Sequence, residues 1–434
     1  MAAGVSDGQE IRLSPGEIRT FRLHLAHSVL EALAAGIITN AGLIAIKTLD
    51  AEDWQLTVPL AVSSIGMFVS WGTAQIMARR NKRAFIVVPF LLQAICVMGM
   101  ATVPGAGWFL FLAGMAAVFE ITVRPAMASF FRTNYRPDFR GRASGIIRGW
   151  CALAFLFSNL SSAVWMQFGE GGRASISILM VVAALFLIAG LACISAIRMQ
   201  EDVGRRERQG VTEGTKISSL TILKTDRRFT TYLLGSTGFI FGGLLYVSLI
   251  PAVLSKDFGY GYVASALLLH VIPSLVSFGA TQGFGRRLDH VNPLKLWSVI
   301  RAGWGLDPIL LGLAAITAPA SSVGLVIAVF ARSCRGACMG TAWVLWWMVG
   351  VNYFAPPGAD TSRYMGIQTL LNGIARLATA GAAALLLQSV DRIGVLFIGG
   401  FLIMLSALHA RWQASHDPEG AGSLIAQERK YQGG

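Results

Sequence analysis

The sequence predicts an all-α integral membrane protein: twelve transmembrane helices in two six-helix bundles related by a pseudo-two-fold repeat. Composition, the run of apolar segments and the placement of the cations predict it. Of 434 residues, 54% are hydrophobic and 14% charged, whereas soluble domains carry roughly 25% charged residues. A soluble chain of this balance has too few polar groups to cover its surface, which excludes an ordinary soluble enzyme. Disorder, collagen and coiled coil are excluded by the same numbers. Twelve spans of ~20 residues use ~240 residues, which leaves short loops and two tails.

In order, the apolar segments of the first half are 21–46, 54–79, 84–104, 106–131, 145–168 and 174–198. Those of the second half are 230–253, 261–284, 294–316, 321–350, 364–389 and 392–413. Each is long enough to span, and each is bounded by polar or turn-forming residues. The expected domains are therefore an N-terminal tail 1–20, a first bundle 21–198, a central loop 199–229, a second bundle 230–413 and a C-terminal tail 414–434. The central loop is polar and basic. The N-terminal stretch lacks a short apolar core followed by a small-residue cleavage site, so no signal peptide is expected.

Charge placement sets the orientation. With the N-terminus cytoplasmic, the inner loops and tails hold 26 of the 36 Lys and Arg residues, and six fall within spans. The outer loops hold only Lys47, Arg173, Lys256 and Arg392. Cations accumulate on the cytoplasmic side, so an even number of spans with both termini inside an inner or plasma membrane is expected. The same bias explains the net charge of +13, and no nucleic-acid partner is implied. The five cysteines all lie in apolar segments without a CxxC pair, so no disulfide framework follows.

Two loop patterns repeat. Ala74-Gln75-Ile76-Met77-Ala78-Arg79-Arg80 follows the second span, and Thr281-Gln282-Gly283-Phe284-Gly285-Arg286-Arg287 follows the eighth. Asn134-Tyr135 with Arg142-x-x-Gly145 follows the fourth span, and Asn352-Tyr353 with Arg363-x-x-Gly366 follows the tenth. Matching positions in two six-span halves suggest parallel repetition and a site near the membrane midplane.

With these features the chain resembles the major facilitator superfamily over nearly its whole length. The family's loop signature, Gly-x-x-x-Asp-Arg-x-Gly-Arg-Arg, is degenerate here. The first copy keeps the cations Arg79, Arg80, Lys82 and Arg83, but neither Gly nor Asp. The second keeps Gly285, Arg286, Arg287 and Asp289. The resemblance implies cytoplasmic gating loops at Arg79, Arg80, Arg286, Arg287 and Asp289, and a cavity lined chiefly by spans one, four, seven and ten. Span five lacks the Gly-Pro motif of the family's multidrug antiporters.

A charge at the bilayer centre costs about 2.5–3.5 kcal/mol on the gentler scales, so intramembrane charges mark cavities or partners. Arg332 and Arg335 in span ten are three apart and share a face with Trp343 and Trp346. Two guanidiniums there would hold a carboxylate or phosphate, with the indoles covering an apolar body; the same arginines could instead pair for packing. Glu120 and Arg124 in span four are one turn apart and either neutralise each other or pair as proton carrier and substrate ligand. His24, His27 and Glu31 stack along span one, where Glu31 is a candidate proton carrier and the set a candidate metal face. Asp307 in span nine could titrate or pair with Arg301. Arg148 and Asn159 share a face of span five, Asn372 and Arg376 one of span eleven, and His270 with Pro273 suggests a kink in span eight.

The expected function is secondary active transport, by alternating access, of a small solute such as an organic anion. The substrate ligands would be Arg332, Arg335, Trp343, Trp346 and Arg124, and the proton-coupling groups Glu31 and Glu120. No cofactor, resident metal or enzymatic centre is expected. The partners are the substrate, a coupling ion (a proton) and the bilayer. The alternatives are a metal-ion or metal-chelate transporter of the same fold and a transport-inactive scaffold or sensor.

Overall fold

The computed structural model describes residues 14–77, 82–169, 172–197, 219–288, 291–317, 319, 321–347, 354 and 361–416. Within them eleven helices are long and apolar enough to cross a membrane, and a twelfth apolar helix, Ala84–Met100, is shorter. Its 17 residues sit at the lower limit for a span.

Span one shows how local chemistry sets these elements. Ser14 caps Pro15–Ile38 with a reciprocal capping box: its hydroxyl accepts from the Glu17 N–H, and Glu17 accepts from the Ser14 N–H. Pro15 at the first helical position gives up only an N–H that had no partner. The sequence predicts one continuous helix, but the structure breaks it at Thr39–Asn40 before Ala41–Thr48. At the break the Asn40 N–H turns to the Ile37 carbonyl, at 3.1 Å. Asn159 of span five then caps the released Gly36 carbonyl at 3.0 Å. Asn40 answers with bonds to the Asn159 carbonyl at 3.1 Å and the Ser162 hydroxyl at 2.9 Å. The helices meet here because residue 36 has no side chain. A Cβ on Gly36 would lie 2.1 Å from the Ser158 Oγ and 2.5 Å from the Phe155 carbonyl oxygen.

Spans two to six are Val58–Met77, Ala84–Met100, Ala106–Asn134, Pro137–Phe168 and Arg173–Ser195. Span five begins earlier than the apolar run because Pro137 opens a polar first turn. A short helix, Ser219–Thr225, precedes span seven, Arg227–Val247, which continues through Ile250–Ala252 into a π-turn at Val253–Asp257. Span eight starts at Tyr262–Ala266, passes a π-turn at Leu267–Val271 and ends as Ile272–Leu288. These interruptions sit beside Pro251 and Pro273, which remove backbone donors. Spans nine to twelve are Pro293–Thr317, Ser322–Trp347, Thr361–Leu386 and Arg392–Ser415.

Packing builds two groups. Span one lies on spans five and six, and span four on spans two and three. In the second half span nine lies on spans ten and twelve, and span seven on spans eleven and twelve. One apolar core fills the second group, and another fills the first and takes in Ala252, Tyr262 and Ala266 of the second. The Gly242 and Gly399 pair brings spans seven and twelve into backbone contact: a Cβ on Gly242 would be 2.7 Å from the Gly399 oxygen.

The groups meet along two seams. Span two runs against span eleven through Met67 and Phe68 on Gly373 and Trp71 on Gly366. Span five meets span eight through Gln167, which accepts from the Tyr262 N–H at 2.6 Å, and Phe155, edge-on to His270 at 6.2 Å.

One face of the molecule is sealed across the seams. Asp53, from the first group, accepts from Lys256 at 2.6 Å and Arg392 at 3.0 Å. Arg392 also grips Asp257 with two bonds, at 2.6 and 2.7 Å. Lys47 donates to the Tyr260 carbonyl, and the Thr48 and Tyr262 hydroxyls bond each other. A cleft of about 700 Å³ beside this clasp is lined by Trp54, Gln388 and the same ions.

Candidate substrate site

Span nine supplies Asp307, fully buried, and span ten Arg332, one residue-turn before Arg335. Arg332 Nη1 donates to Asp307 at 2.7 Å. Its Nε donates to the Leu268 carbonyl at 2.8 Å and its Nη2 to the Leu269 carbonyl at 3.0 Å. A guanidinium at 1% exposure persists inside a membrane only when its nitrogens meet acceptors in this way. The pairing differs from the expected Asp307–Arg301 contact. Those two residues are six apart, so they leave one helix about 120° apart. Arg301 turns instead to the Ser236 and Ser406 hydroxyls, at 3.0 and 2.9 Å, and stacks 5.0 Å from the Trp297 ring.

Arg335 is partly exposed and held more loosely. Its Nη1 donates to the Tyr246 hydroxyl at 3.0 Å and lies 3.7 Å from Asp307. The guanidinium stands 5.6 Å over the Tyr246 ring and 5.4 Å over that of Trp304. Tyr246 in turn donates to Asp307 at 3.0 Å. The sequence does not single out Tyr246 or Trp304. An aromatic residue in an apolar span carries no mark of the charge it will face.

Across the molecule the carboxylate of Glu31 lies 3.7 Å from His27 Nε2. His27 Nδ1 is 3.0 Å from the Gly190 carbonyl, which can only accept. Nδ1 therefore carries the proton, and in the neutral ring Nε2 presents its lone pair toward Glu31. His24 is committed elsewhere, to the Tyr135 hydroxyl at 2.9 Å. Glu120 and Arg124 pair at 2.7 Å, each more than a third exposed, and both act electrostatically on Glu31. Arg376 of span eleven is within electrostatic reach of the same pair, and Arg148 and Glu31 both act electrostatically on Cys151. Asn159 does not reach a cavity; it is fully buried against span one.

The structure thus places Glu31 within electrostatic reach of the Glu120–Arg124 pair, with Arg376 in reach of the same pair. The side chains of Trp343, Trp346, Arg286 and Arg287, and all of Arg79, Arg80 and Asp289, lie outside the described residues. Among the described residues no group of three His, Cys, Asp or Glu could hold a metal ion. The Arg332–Asp307 pair cancels. In the spans, Arg124, Arg148, Arg335 and Arg376 then outnumber Glu31 and Glu120.

A family model described as Major Facilitator Superfamily matches residues 29–380. Solved structures of low sequence identity share the fold. A D-xylose-proton symporter aligns with TM-score 0.69 and 13% identity over 91% of this chain and 97% of its own. A bacterial homolog of the human lysosomal transporter Spinster, inward-facing and unoccupied, aligns with TM-score 0.65 and 14% identity over 93% and 99%. The inward-open xylose transporter from E. coli aligns with TM-score 0.61 and 14% identity over 90% and 95%. A comparison with curated protein sequences finds no match.

Proposed function

Because the chain belongs to the major facilitator superfamily, we propose that this secondary transporter carries a small organic anion by alternating access, coupled to protons. The cationic excess within the spans carries this reading. Arg335, with Arg124 and Arg376 opposite, would bind the carboxylate or phosphate, since a partly exposed guanidinium can exchange a neutral hydroxyl partner for an anion. Arg332 serves this site from behind, each of its three nitrogens being bonded within the protein. Trp343 and Trp346 would cover the apolar part of the solute, and Arg79, Arg80, Arg286, Arg287 and Asp289 would gate the cytoplasmic loops. In sequence the basic loops follow spans two, four, six, eight and ten, whereas the clasp joins the connections after spans one, seven and eleven. By the positive-inside bias the clasp would then face outward.

Thermal stabilisation of the purified protein tests the substrate class, because a ligand bound only by the native state raises its apparent stability. The panel is acetate, succinate, citrate, glucuronate, phosphate, xylose and adenosine. At least one anion is expected to stabilise the wild type and to lose most of that effect in Arg335→Ala. Stabilisation by a neutral solute alone, or an equal anion effect in both proteins, overturns the anion reading.

Glu31 and Glu120 are the proton-coupling groups of this proposal, with His27 Nε2 as the nearest base to Glu31. In proteoliposomes, Glu31→Gln is expected to abolish the acceleration of anion uptake by an imposed proton gradient while leaving thermal stabilisation in place. Unchanged acceleration removes Glu31 from the coupling step.

A further inference from the structure

Span eight contains a defect in its hydrogen bonding. In the π-turn the Ile272 N–H bonds the Leu267 carbonyl, five residues back. The next residue is Pro273, which has no N–H. The carbonyls that would receive that donor are Leu268 in π register and Leu269 in α register. Both are the acceptors of Arg332. The arginine thus replaces the donor that proline removed. Immediately along span ten, Gly336 lets the two backbones touch: a Cβ there would be 2.5 Å from the Pro273 oxygen and 2.8 Å from its Cα.

The turn held in this way forms the seam. His270 lies within it and meets Phe155 of span five, and Tyr262, at the start of the same span, donates its N–H to Gln167. On its far side Arg332 is tied to Asp307, and Asp307 is shared with Arg335 and Tyr246. All three meet Asp307 Oδ2, while Oδ1 is buried without a hydrogen-bond partner, so the carboxylate keeps an open acceptor.

We propose that Arg332, held by Asp307, is a positioning residue that fixes the proline-interrupted turn of span eight and so links the cationic site to the seam between the halves. An anion that draws Arg335 away leaves Asp307 to Arg332 and the Tyr246 hydroxyl and tightens the clamp. This last step rests on the anion reading; the clamp itself does not.

Hydrogen exchange of the full-length protein in lipid nanodiscs, read by mass spectrometry without any added solute, tests the clamp. Arg332→Gln is expected to raise exchange roughly tenfold or more over 267–277 and over the opposing 155–167, as loss of charge-assisted bonds frees the turn. Exchange in span twelve should stay at the wild-type level. Arg332→Lys, which keeps the charge with fewer directed donors, should restore part of the protection, and Arg335→Gln should change neither segment. Wild-type exchange over 267–277 in both Arg332 variants overturns the proposal. So does a uniform rise across all spans in Arg332→Lys, or a rise in Arg335→Gln equal to that in Arg332→Gln. Because no anion is present, none of these outcomes depends on the substrate class.

Discussion

Asp53→Lys is expected to open the sealed face. Asp53 is the first-half carboxylate that pairs across the clasp with both Lys256 and Arg392. Partly exposed ion pairs of this kind contribute about 0.2–1 kcal/mol each. Removing both attractions and substituting a like charge therefore shifts the closed-to-open ratio by roughly ten- to a hundredfold. Arg392 keeps its two bonds to Asp257, so the second half itself stays folded. Hydrogen exchange over 49–57 and 258–262 in nanodiscs measures the change. Faster exchange in both segments, with the cores unaffected, is the expected result. Asp53→Asn should give a smaller shift, and added salt should move the wild type the same way. Protection in Asp53→Lys equal to wild type would mean that the bonds of Gln167 and Lys47 hold the face shut alone.

Gly36→Val is expected to disrupt the first half. The Cβ would press on the span-five backbone at the Phe155 oxygen, 2.5 Å away, and on the Asn159 nitrogen at 2.9 Å. Neither atom belongs to a flexible side chain that could move aside. Overpacking alone costs typically 1–3 kcal/mol. Parting the helices also unpairs Asn40 and Asn159, at about 1–3 kcal/mol for each stranded buried group. A fall of at least ~10 °C in the thermal midpoint, or loss of monodisperse protein, is the expected outcome. Gly16→Val, with open space around its Cβ position, is the control. An unchanged midpoint in Gly36→Val would show that the two helices do not need this contact.

The membrane class and the twelve spans are legible because apolar length and cation placement are summed over many residues. The breaks within spans one, seven and eight are less so. Pro251 and Pro273 mark where a donor is missing, but nothing in the sequence says that Arg332 supplies one sixty residues later. Arg332 and Arg335 look alike on a helical wheel. They separate only through what the neighbouring spans present: two carbonyls and a carboxylate for the first, a tyrosine hydroxyl for the second. Nearness in sequence offers Arg301 as one partner for Asp307, and the helix rotation between them defeats that pairing. The convergence of Glu31, Glu120, Arg124 and Arg376 depends on how spans one, four and eleven pack, a relation that no single-helix periodicity contains.

The two seams are unequal, and this sets the kind of movement the molecule can make. Span two is fastened to span eleven from the clasp down to Trp71 and Gly366. The contacts of span five with span eight concentrate near the clasp, at Gln167 and Tyr262 and at Phe155 and His270. A body fastened along one edge swings as a door does. Its free edge travels farther than its hinge, and the gap forms on the latch side.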